Sequence, residues 1–465
     1  MQQNNQGEDE VRAGNKWWIL VTVGIGTFMS ALDASVVNVM IPVLQQYFKC
    51  SIATVEWIIV VYLLVVSSLL LAFGRYGDLH GHKIIYMIGF VIFTIGSAAC
   101  GLAPGVGILI ASRAAQALGA GMLFSNGPAI LIRSFPSNQR GQALGIQATM
   151  TYLGASIGPS LGGWLTQALG WRSVFFINVP IGLIAFIFCL VFVQTDRLKV
   201  ALPEPFDWRG AGFFAVGLVA LLLGLDQGQA WGWTSPAVLG CLVSAILLLA
   251  FFLWLEAHTT APMLDLSLFS NRLFSTSTCS SVINYVCMNF VNFLIPFYLQ
   301  QGRGFGTAEA GLLLTAQTVM MAIAAPISGS ISDKIGSRIP ATLGMGVLTF
   351  GIFLLSHLGA NSSFVQILGS LAVVGTGTGI FISPNNSALL GSAPRERQGI
   401  ASGIQQTSRN IGTVLGVGLS GAILSSLTAR SGENALIPAI STALMIAIAI
   451  GLAGVAVSSI RGEEA

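Results

Sequence analysis

Charge is what this sequence has least of: Asp, Glu, Lys and Arg make up 8% of its 465 residues. A soluble domain carries about a quarter. With 54% hydrophobic residues, too little polar surface remains to keep a folded chain in water, so a soluble globular protein is excluded. The net charge of +3 is too small for a nucleic-acid binder, which depends on many basic residues against phosphates. Cysteines are few and scattered: Cys50, Cys100, Cys189, Cys241, Cys279 and Cys287 form no CxxC pair. They read as small packing residues, not as a disulfide framework or a metal site. His80 and His82 read as loop residues in solvent. A Walker A sequence, metal-ligand spacing and a nucleophile–base pair are also missing, so neither an enzyme nor a cofactor is expected. The first apolar block follows a polar tail and is too long for the core of a cleavable signal peptide. It is expected to remain as a membrane span.

What is present is a series of apolar blocks of about 20 residues, the length that crosses about 30 Å of hydrocarbon as a helix. Lipid leaves no partner for an unpaired backbone group, so the blocks are expected to be helical and the fold all-α. The short alternating strands of a β-barrel are absent from the pattern. About fourteen spans are expected: 17–42, 54–73, 84–103, 107–132, 143–167, 174–194, 209–227, 235–255, 274–300, 309–331, 340–358, 364–390, 400–427 and 436–459. With the N-terminus inside, fifteen Lys and Arg residues fall in inner segments and four (Lys49, Arg172, Arg303, Arg430) in outer loops. Arg113 and Arg409 lie within spans. The positive-inside rule therefore places both termini in the cytoplasm. Trp17, Trp18, Trp57, Trp164, Trp171, Trp208 and Trp254 fall near span ends, as an interfacial belt requires.

The pattern repeats internally. Gly74-Arg75-Tyr-Gly-Asp78-Leu-His-Gly81-His-Lys83 and Gly329-Ser-Ile-Ser-Asp333-Lys-Ile-Gly336-Ser-Arg338 both fit G-x-x-x-D-x-x-G-x-[KR], 255 residues apart. Gly141, Gly145, Gly154, Gly158 and Gly163 recur as Gly399, Gly403, Gly412, Gly416 and Gly421, 258 residues apart. The expected organisation is a cytoplasmic tail (1–16), a six-helix bundle (17–194), a linker (195–208) and two inserted helices (209–255). A second linker (256–273), a second six-helix bundle (274–459) and a short tail (460–465) follow. Parallel repeats of this kind rock about a site near the bilayer midplane.

Several motifs, in order along the chain, resemble the major facilitator superfamily, and within it the fourteen-span drug:proton antiporter branch of EmrB/QacA-like proteins. Leu32-Asp33-Ala-Ser-Val-Val-Asn38-Val-Met-Ile-Pro42 is similar to the branch's L-D-x-T-V-V-N-V-A-L-P. Trp57 and Tyr62 match W-x-x-x-x-Y-L-L. Arg113-Ala-Ala-Gln116-Ala-Leu-Gly119 is similar to R-x-x-Q-G-x-G, with Ala117 in place of the first glycine. Gly154, Gly158, Pro159, Gly162 and Gly163 match the antiporter motif. Trp171-Arg172 with Phe176-Ile-Asn178-Val-Pro180-Ile-Gly182, and Asp207-Trp-Arg-Gly210, resemble further branch signatures. The resemblance covers nearly the whole chain and implies the major facilitator fold in the cytoplasmic (inner) membrane.

Asp33 reads as the one acid deep in a span, and an ionisable group there is costly enough to mark function by default. The resemblance packs the first and fourth spans together, which makes Arg113 its partner and the pair a proton-coupling site; a permanent structural ion pair is the alternative. Gly154, Gly158, Pro159, Gly162 and Gly163 read as a gating helix, since small residues permit close approach and proline bends the helix; ordinary tight packing is the alternative. Gly74, Arg75, Asp78, Gly81 and Lys83, with Gly329, Asp333 and Gly336, read as cytoplasmic loops in which Asp78 could accept from a helix N-terminus; the resemblance implies that they latch the outward-open state, and basic loops that serve topology alone are the alternative. Asn38, Tyr62, Gln116, Met150, Asn284, Asn289, Phe290, Asn292, Gln317, Asn385, Gln405, Gln406 and Arg409 are candidates for the cavity lining. Glu56 and Asp226 read as water-facing. The absence of deep acids from the later spans favours neutral, zwitterionic, anionic or monocationic amphiphiles over dications. The expected function is proton-driven export of small amphipathic compounds, with the proton gradient in place of a cofactor. Export of an endogenous lipid or metabolite, or service as the membrane partner of a periplasmic adaptor, are the alternatives.

Overall fold

The structure, a computed structural model, describes residues 2–50, 52–194, 206–232, 234–259, 262–305, 307–431 and 436–461. Side chains at 2–15, 38, 39, 41, 42, 52, 53, 226, 229, 230, 307, 308, 425 and 428–431 are outside the description. Asn38 and Asp226 therefore lie beyond it, as does most of the linker 195–208.

The described residues form helices and no strands: α1 (Gln2–Phe48), α2 (Ile52–His80), α3 (His82–Leu102), α4 (Val106–Ser134), α5 (Arg140–Leu169), α6 (Arg172–Phe176), α7 (Asn178–Phe192) and α8 (Trp208–Asp226). Then come α9 (Gly228–Trp231), α10 (Pro236–His258), α11 (Arg272–Phe297), α12 (Thr307–Ile335), α13 (Arg338–Ser356), α14 (Phe364–Gly391), α15 (Gln398–Ser431) and α16 (Leu436–Ser459). Among them are 12 stretches long and apolar enough to cross a membrane, against the fourteen expected. The two expected spans missing from this set lie in α5 and α15, whose apolar character is diluted by glycine and by Gln, Ser, Thr and Asn. Large apolar side chains such as Ile95, Leu183, Val191, Ile246 and Leu343 stand on outer faces, the arrangement expected of a surface solvated by lipid. Trp17, Trp18, Trp57, Trp164, Trp208 and Trp254 are exposed as a belt requires, but Trp171 is 4% exposed and packs edge-on against Tyr47, Phe48 and Phe175. It is a core residue, because α6 folds back over the end of α1.

The chain divides into two compact units. The first comprises Met1–Ala215, His258–Leu264 and Pro394–Gln406; the second comprises Val216–Ala257, Asp265–Ala393 and Thr407–Ala465. In the first, α1 packs on α5, α4 on α2 and α3, and α3 on α7. In the second, α14 packs on α12 and α13, and α16 on α11 and α13. The inserted α8 and α10 lie against each other, Gly217 meeting Leu248 and Leu249, and Gly224 meeting Cys241 and Leu242.

The repeated loop motif is largely helical. Gly74 and Asp78 occupy the end of α2, Gly329 and Asp333 the end of α12. Each helix then stops at a glycine with positive φ, Gly81 at 97° and Gly336 at 81°. The two amides close the last turn alike, on Gly77 O and Ser332 O. An L-residue there would be strained, which is why glycine stands at both positions.

Candidate functional site

The Asp33 carboxylate is built into the first unit by five helices. It projects from α1 and is 2% exposed. On α4, Arg113 and Gln116 are three residues apart and share a face. Arg113 Nη1 donates to Asp33 Oδ2 at 2.6 Å. Gln116 Nε2 donates to Asp33 Oδ1 at 3.0 Å, and Asn178 Nδ2 from α7 donates to the same oxygen at 2.8 Å. Gln116 is itself held from both ends: its Oε1 accepts from Arg113 Nη1 at 2.7 Å and its Nε2 donates to Ser97 Oγ of α3 at 2.5 Å. Arg113 also donates through Nε to Ile58 O at 3.4 Å, and its guanidinium stacks 4.2 Å from the Tyr62 ring centre. Asn178 reaches the site because the sixth span breaks: α6 ends at Phe176 and α7 begins at Asn178. Pro180 has no N–H to offer the Phe176 carbonyl, which is the local cause of the break. Both charges are desolvated, and three donors compensate the carboxylate, the condition under which a buried pair is tolerated.

A second cluster surrounds Asp78, 8% exposed at the end of α2. Its Oδ1 accepts from Gly399 N at 2.8 Å and its Oδ2 from Ile400 N at 2.9 Å. These are orphan amides of the first turn of α15, a segment that belongs to the first unit; a carboxylate is the favoured occupant of such a helix start. Arg133 Nη2 lies 3.4 Å from Asp78 Oδ1 and donates to Arg395 O at 2.5 Å, while its Nε donates to Gln398 Oε1 at 3.3 Å. The approach is possible because the facing positions are Gly74 and Gly399, where any side chain would strike the other's backbone. His82 is not in solvent: it is 1% exposed, with Nδ1 2.7 Å from Asn126 Oδ1 and Nε2 3.4 Å from Asp78 Oδ1. Asn126 Nδ2 donates to Phe73 O, Met122 O and Ser125 Oγ, so its Oδ1 is the acceptor and His82 Nδ1 carries the proton. His80 is exposed and stacks on Tyr76. Arg75 is buried, and Lys83 donates to Leu190 O at 2.9 Å near the end of α7, where a cation is favoured.

The glycine helix α5 rides along α1. A Cβ at Gly154 would stand 2.6 Å from Phe28 O, one at Gly158 3.2 Å from Leu32 O, and one at Gly162 2.6 Å from Val36 Cγ1. Ser35 Oγ donates across the seam to Gly154 O at 3.3 Å. Gly163 has nothing within 4 Å and takes no part in it; Pro159 is exposed. The second unit repeats the seam, Gly412 lying over Val282 O and Gly416 over Val286 O of α11.

The candidate lining residues divide between the units. Tyr62 and Gln116 belong to the Asp33 cluster, Met150 lies beside Gly24, and Gln405 and Gln406 stand buried in the α15 segment of the first unit. In the second unit Asn284 Nδ2 lies 4.0 Å from Met345 Sδ, and Asn289 donates to Tyr285 O at 2.8 Å and Thr413 Oγ1 at 3.2 Å. Phe290 is fully buried, Gln317 donates to the exposed Asn292 at 3.2 Å, and Arg409 is half-buried. Asn385 donates to Ser277 O at 3.1 Å and accepts from Arg461, a buried residue expected in a free tail. Gly329 is buried on α12 and Asp333 half-buried.

The glycine contacts register the two units residue by residue. Gly158 over Leu32 matches Gly416 over Val286, so Cys287 stands where the first unit has Asp33. Gly96 against Gln116 matches Gly351 against Val374, which puts Leu371 at the place of Arg113. Gly182 against Thr94 matches Gly451 against Thr349, which puts Ala447 at the place of Asn178. Cys287 and Ala447 are indeed in contact, Sγ to O at 3.6 Å, and Leu371 is fully buried. The same packing frame is thus filled without charge in the second unit.

Sequence reasoning missed Asn178, Ser97 and His82 as members of these clusters, and Glu256, which is 3% exposed in the last turn of α10. Asn178 carried a legible signal: a polar residue between Ile177 and Val179, two places before a proline.

Comparison with known proteins adds the following. The sequence profile described as Major Facilitator Superfamily matches residues 23–269, 206–416 and 277–463. The riboflavin transporter RibZ of Clostridioides difficile is 34% identical over 90% of this chain and 89% of its own. The multidrug resistance protein Stp of Mycobacterium tuberculosis is 32% identical over 88% of this chain and 75% of its own. The tetracenomycin C resistance and export protein of Streptomyces glaucescens is 32% identical, with 89% and 77% covered. The crystal structure of the human organic anion transporter MFSD10 (TETRAN) superposes with a TM-score of 0.65 over 94% of this chain and 99% of that one, at 13% identity.

Proposed function

The chain belongs to the major facilitator superfamily, and from that premise we propose that this multi-pass transporter is a proton-coupled antiporter exporting small amphipathic compounds. One observation carries the coupling site. The frame that holds Asp33, Arg113, Gln116 and Asn178 in the first unit is filled by Cys287, Leu371, Val374 and Ala447 in the second. The frame therefore packs without a buried ion pair, and a pair retained at the cost of desolvating two charges points to a use beyond packing. Protons take the place of a cofactor. Relatives named for multidrug resistance and for export support the substrate class.

Both termini are assigned to the cytoplasm and the protein to the cytoplasmic membrane, on the distribution of Lys and Arg. Helices α5 and α15 complete a count of fourteen spans. Support comes from the seam on α1, since a helix touching residues 28 to 36 of a span lies at their depth. Their glycine content reflects close contact between helices, which the hydrophobic scale reads as polarity. The antiporter glycines and the Asp78 latch serve the conformational cycle, and the polar candidates named above line the substrate cavity.

A second reading, export of a metabolite, draws on the relative named as a riboflavin transporter. One experiment addresses both readings. Purified protein is placed in liposomes under an imposed proton gradient, and the movement of fluorescent amphiphiles and of riboflavin is followed for wild type and Asp33→Asn. Gradient-driven movement lost in the variant is expected. Normal driven movement by Asp33→Asn would sink the coupling assignment, and movement of riboflavin alone would favour the second reading.

A further inference from the structure

The Asp33 site contains one amide that is held and one that is not. Gln116 is fixed in orientation, because turning it would set its NH2 against the Arg113 guanidinium, donor against donor. Asn178 has no such lock. Its Nδ2 donates to Asp33 Oδ1 at 2.8 Å, while its Oδ1, fully buried, accepts no hydrogen bond from the described residues. A buried acceptor without a donor is uncommon and calls for an explanation.

The two orientations of this amide correspond to two states of the acid. With Nδ2 toward Asp33, both carboxylate oxygens accept: Oδ1 from Asn178 and Gln116, Oδ2 from Arg113. That set fits the ionised form, which can only accept. Turned by half a rotation about its last torsion, Asn178 would bring its oxygen to hydrogen-bond distance of Asp33 Oδ1. Two oxygens so placed require a proton between them, so the turned amide fits only the protonated acid. The other titratable or charged groups facing this site are Arg113 from α4, Tyr62 from α2 and Cys100 from α3; α7 faces it with the neutral Asn178.

We propose that Asn178 is a positioning residue for proton coupling, its amide turning over as Asp33 gains or loses its proton. It donates Nδ2–H to the carboxylate and accepts at Oδ1 from the acid. Because Asn178 begins α7 at the break after Phe176, each turn of the amide changes what ties the sixth span to α1. The inference rests on the reading of Asp33 as the coupling site.

The test is pH-difference infrared spectroscopy on the purified full chain in lipid films, with no substrate added. The carboxyl C=O band that disappears in Asp33→Asn reports protonation of Asp33. Expected in wild type is a side-chain amide band that changes with the same midpoint pH and is absent from the difference spectrum of Asp33→Asn. Expected in Asn178→Leu is loss of that amide signal and a midpoint raised by about one pH unit. The ionised acid loses a charge-assisted bond there, and the neutral acid only an ordinary one. Asn178→Thr, whose hydroxyl donates or accepts by rotation, is expected to return the midpoint toward wild type. An Asp33 band titrating with no accompanying amide change in wild type, or with the same midpoint in Asn178→Leu, overturns the role of Asn178 and leaves Asp33 as coupling site. Absence of any Asp33 titration overturns both. The wild-type amide signal decides the matter even where Asn178→Leu does not fold.

Discussion

Asp78→Asn isolates the latch at the start of α15. The native carboxylate accepts from two amides, Gly399 N at 2.8 Å and Ile400 N at 2.9 Å. A hydrogen bond to a charged group contributes about 1.5–3 kcal/mol. Asparagine keeps one oxygen but presents NH2 where the other stood, so one of the two amides meets a donor instead of an acceptor. The field of the helix N-terminus, about 0.3–1 kcal/mol at a surface site, no longer acts on a full charge. Arg133, 3.4 Å from Oδ1, loses a counter-charge that is partly screened and is left out of the sum. The net loss is about 3 kcal/mol, or about two powers of ten in the closed population at about 1.4 kcal/mol each. Hydrogen exchange read by mass spectrometry on the peptide containing 398–403 is the assay. Exchange there is expected to quicken by about a hundredfold where it reports local opening, and transport turnover is expected to fall. Native protection of this segment together with wild-type turnover would refute the reasoning. Native protection alone would mean that Arg133, through Arg395 O and Gln398, holds the segment without Asp78.

Gly158→Leu is expected to abolish driven transport, since even a Cβ meets Ser35 and the Leu32 carbonyl. Gly163→Ala, with nothing within 4 Å, is expected to leave transport in liposomes near wild type; equal effects of the two would count against the seam. Gly336→Ala is expected to cost about 1–2 kcal/mol of stability from its φ of 81°, read as a lowered unfolding midpoint in detergent; an unchanged midpoint would show that the turn relaxes. A substrate survey is expected to find no preference for divalent cations, because no deep acid was placed in the later spans, and a clear preference would reverse that inference.

Much of the fold was legible because lipid imposes long apolar helices whose ends carry basic residues and tryptophan. Trp171 broke that rule: belt position and core position look alike in a sequence when a short helix such as α6 folds over the end of another. The fourteen expected spans included 143–167 and 400–427, but the helices found there, α5 and α15, are not among the 12 stretches apolar enough to cross a membrane. Glycine at 154, 158 and 162 is there for contact with α1, and it dilutes the apolar character of α5. Of the Asp33 site, the acid was legible as the one placed deep in a span, while its pairing with Arg113 and not Arg409 came from the resemblance, which packs the first and fourth spans together. Ser97 and Asn178 join it through tertiary approach, which periodicity does not encode. His82 was misread for a related reason. Its segment has the polarity of a loop, but the positive φ of Gly81 makes the chain turn in place and drives the imidazole inward against Asp78 and Asn126.

The registration of the two units sharpens the choice between a coupling pair and a structural pair into a single fourfold variant. If the frame needs no charge, then Asp33→Leu, Arg113→Met, Gln116→Met and Asn178→Leu together replace the first unit's polar cluster by apolar side chains of similar volume, as the second unit does with Cys287, Leu371, Val374 and Ala447. Replacement of a whole buried ion pair by well-packed apolar groups is commonly neutral or stabilising, by about 1–4 kcal/mol. Removal of one partner alone costs about 3–5 kcal/mol. The combined variant is therefore expected to unfold in detergent no earlier than wild type, whereas Arg113→Met alone unfolds well before it. Some loss is expected at Ser97, whose hydroxyl gives up its Gln116 partner. Transport is expected to separate from stability, with gradient-driven movement absent in the combined variant although the protein is intact. A combined variant that fails to fold would make the cluster structural. One that folds and still pumps would place the proton elsewhere, and the buried Glu256 of α10 would be the next acid to test.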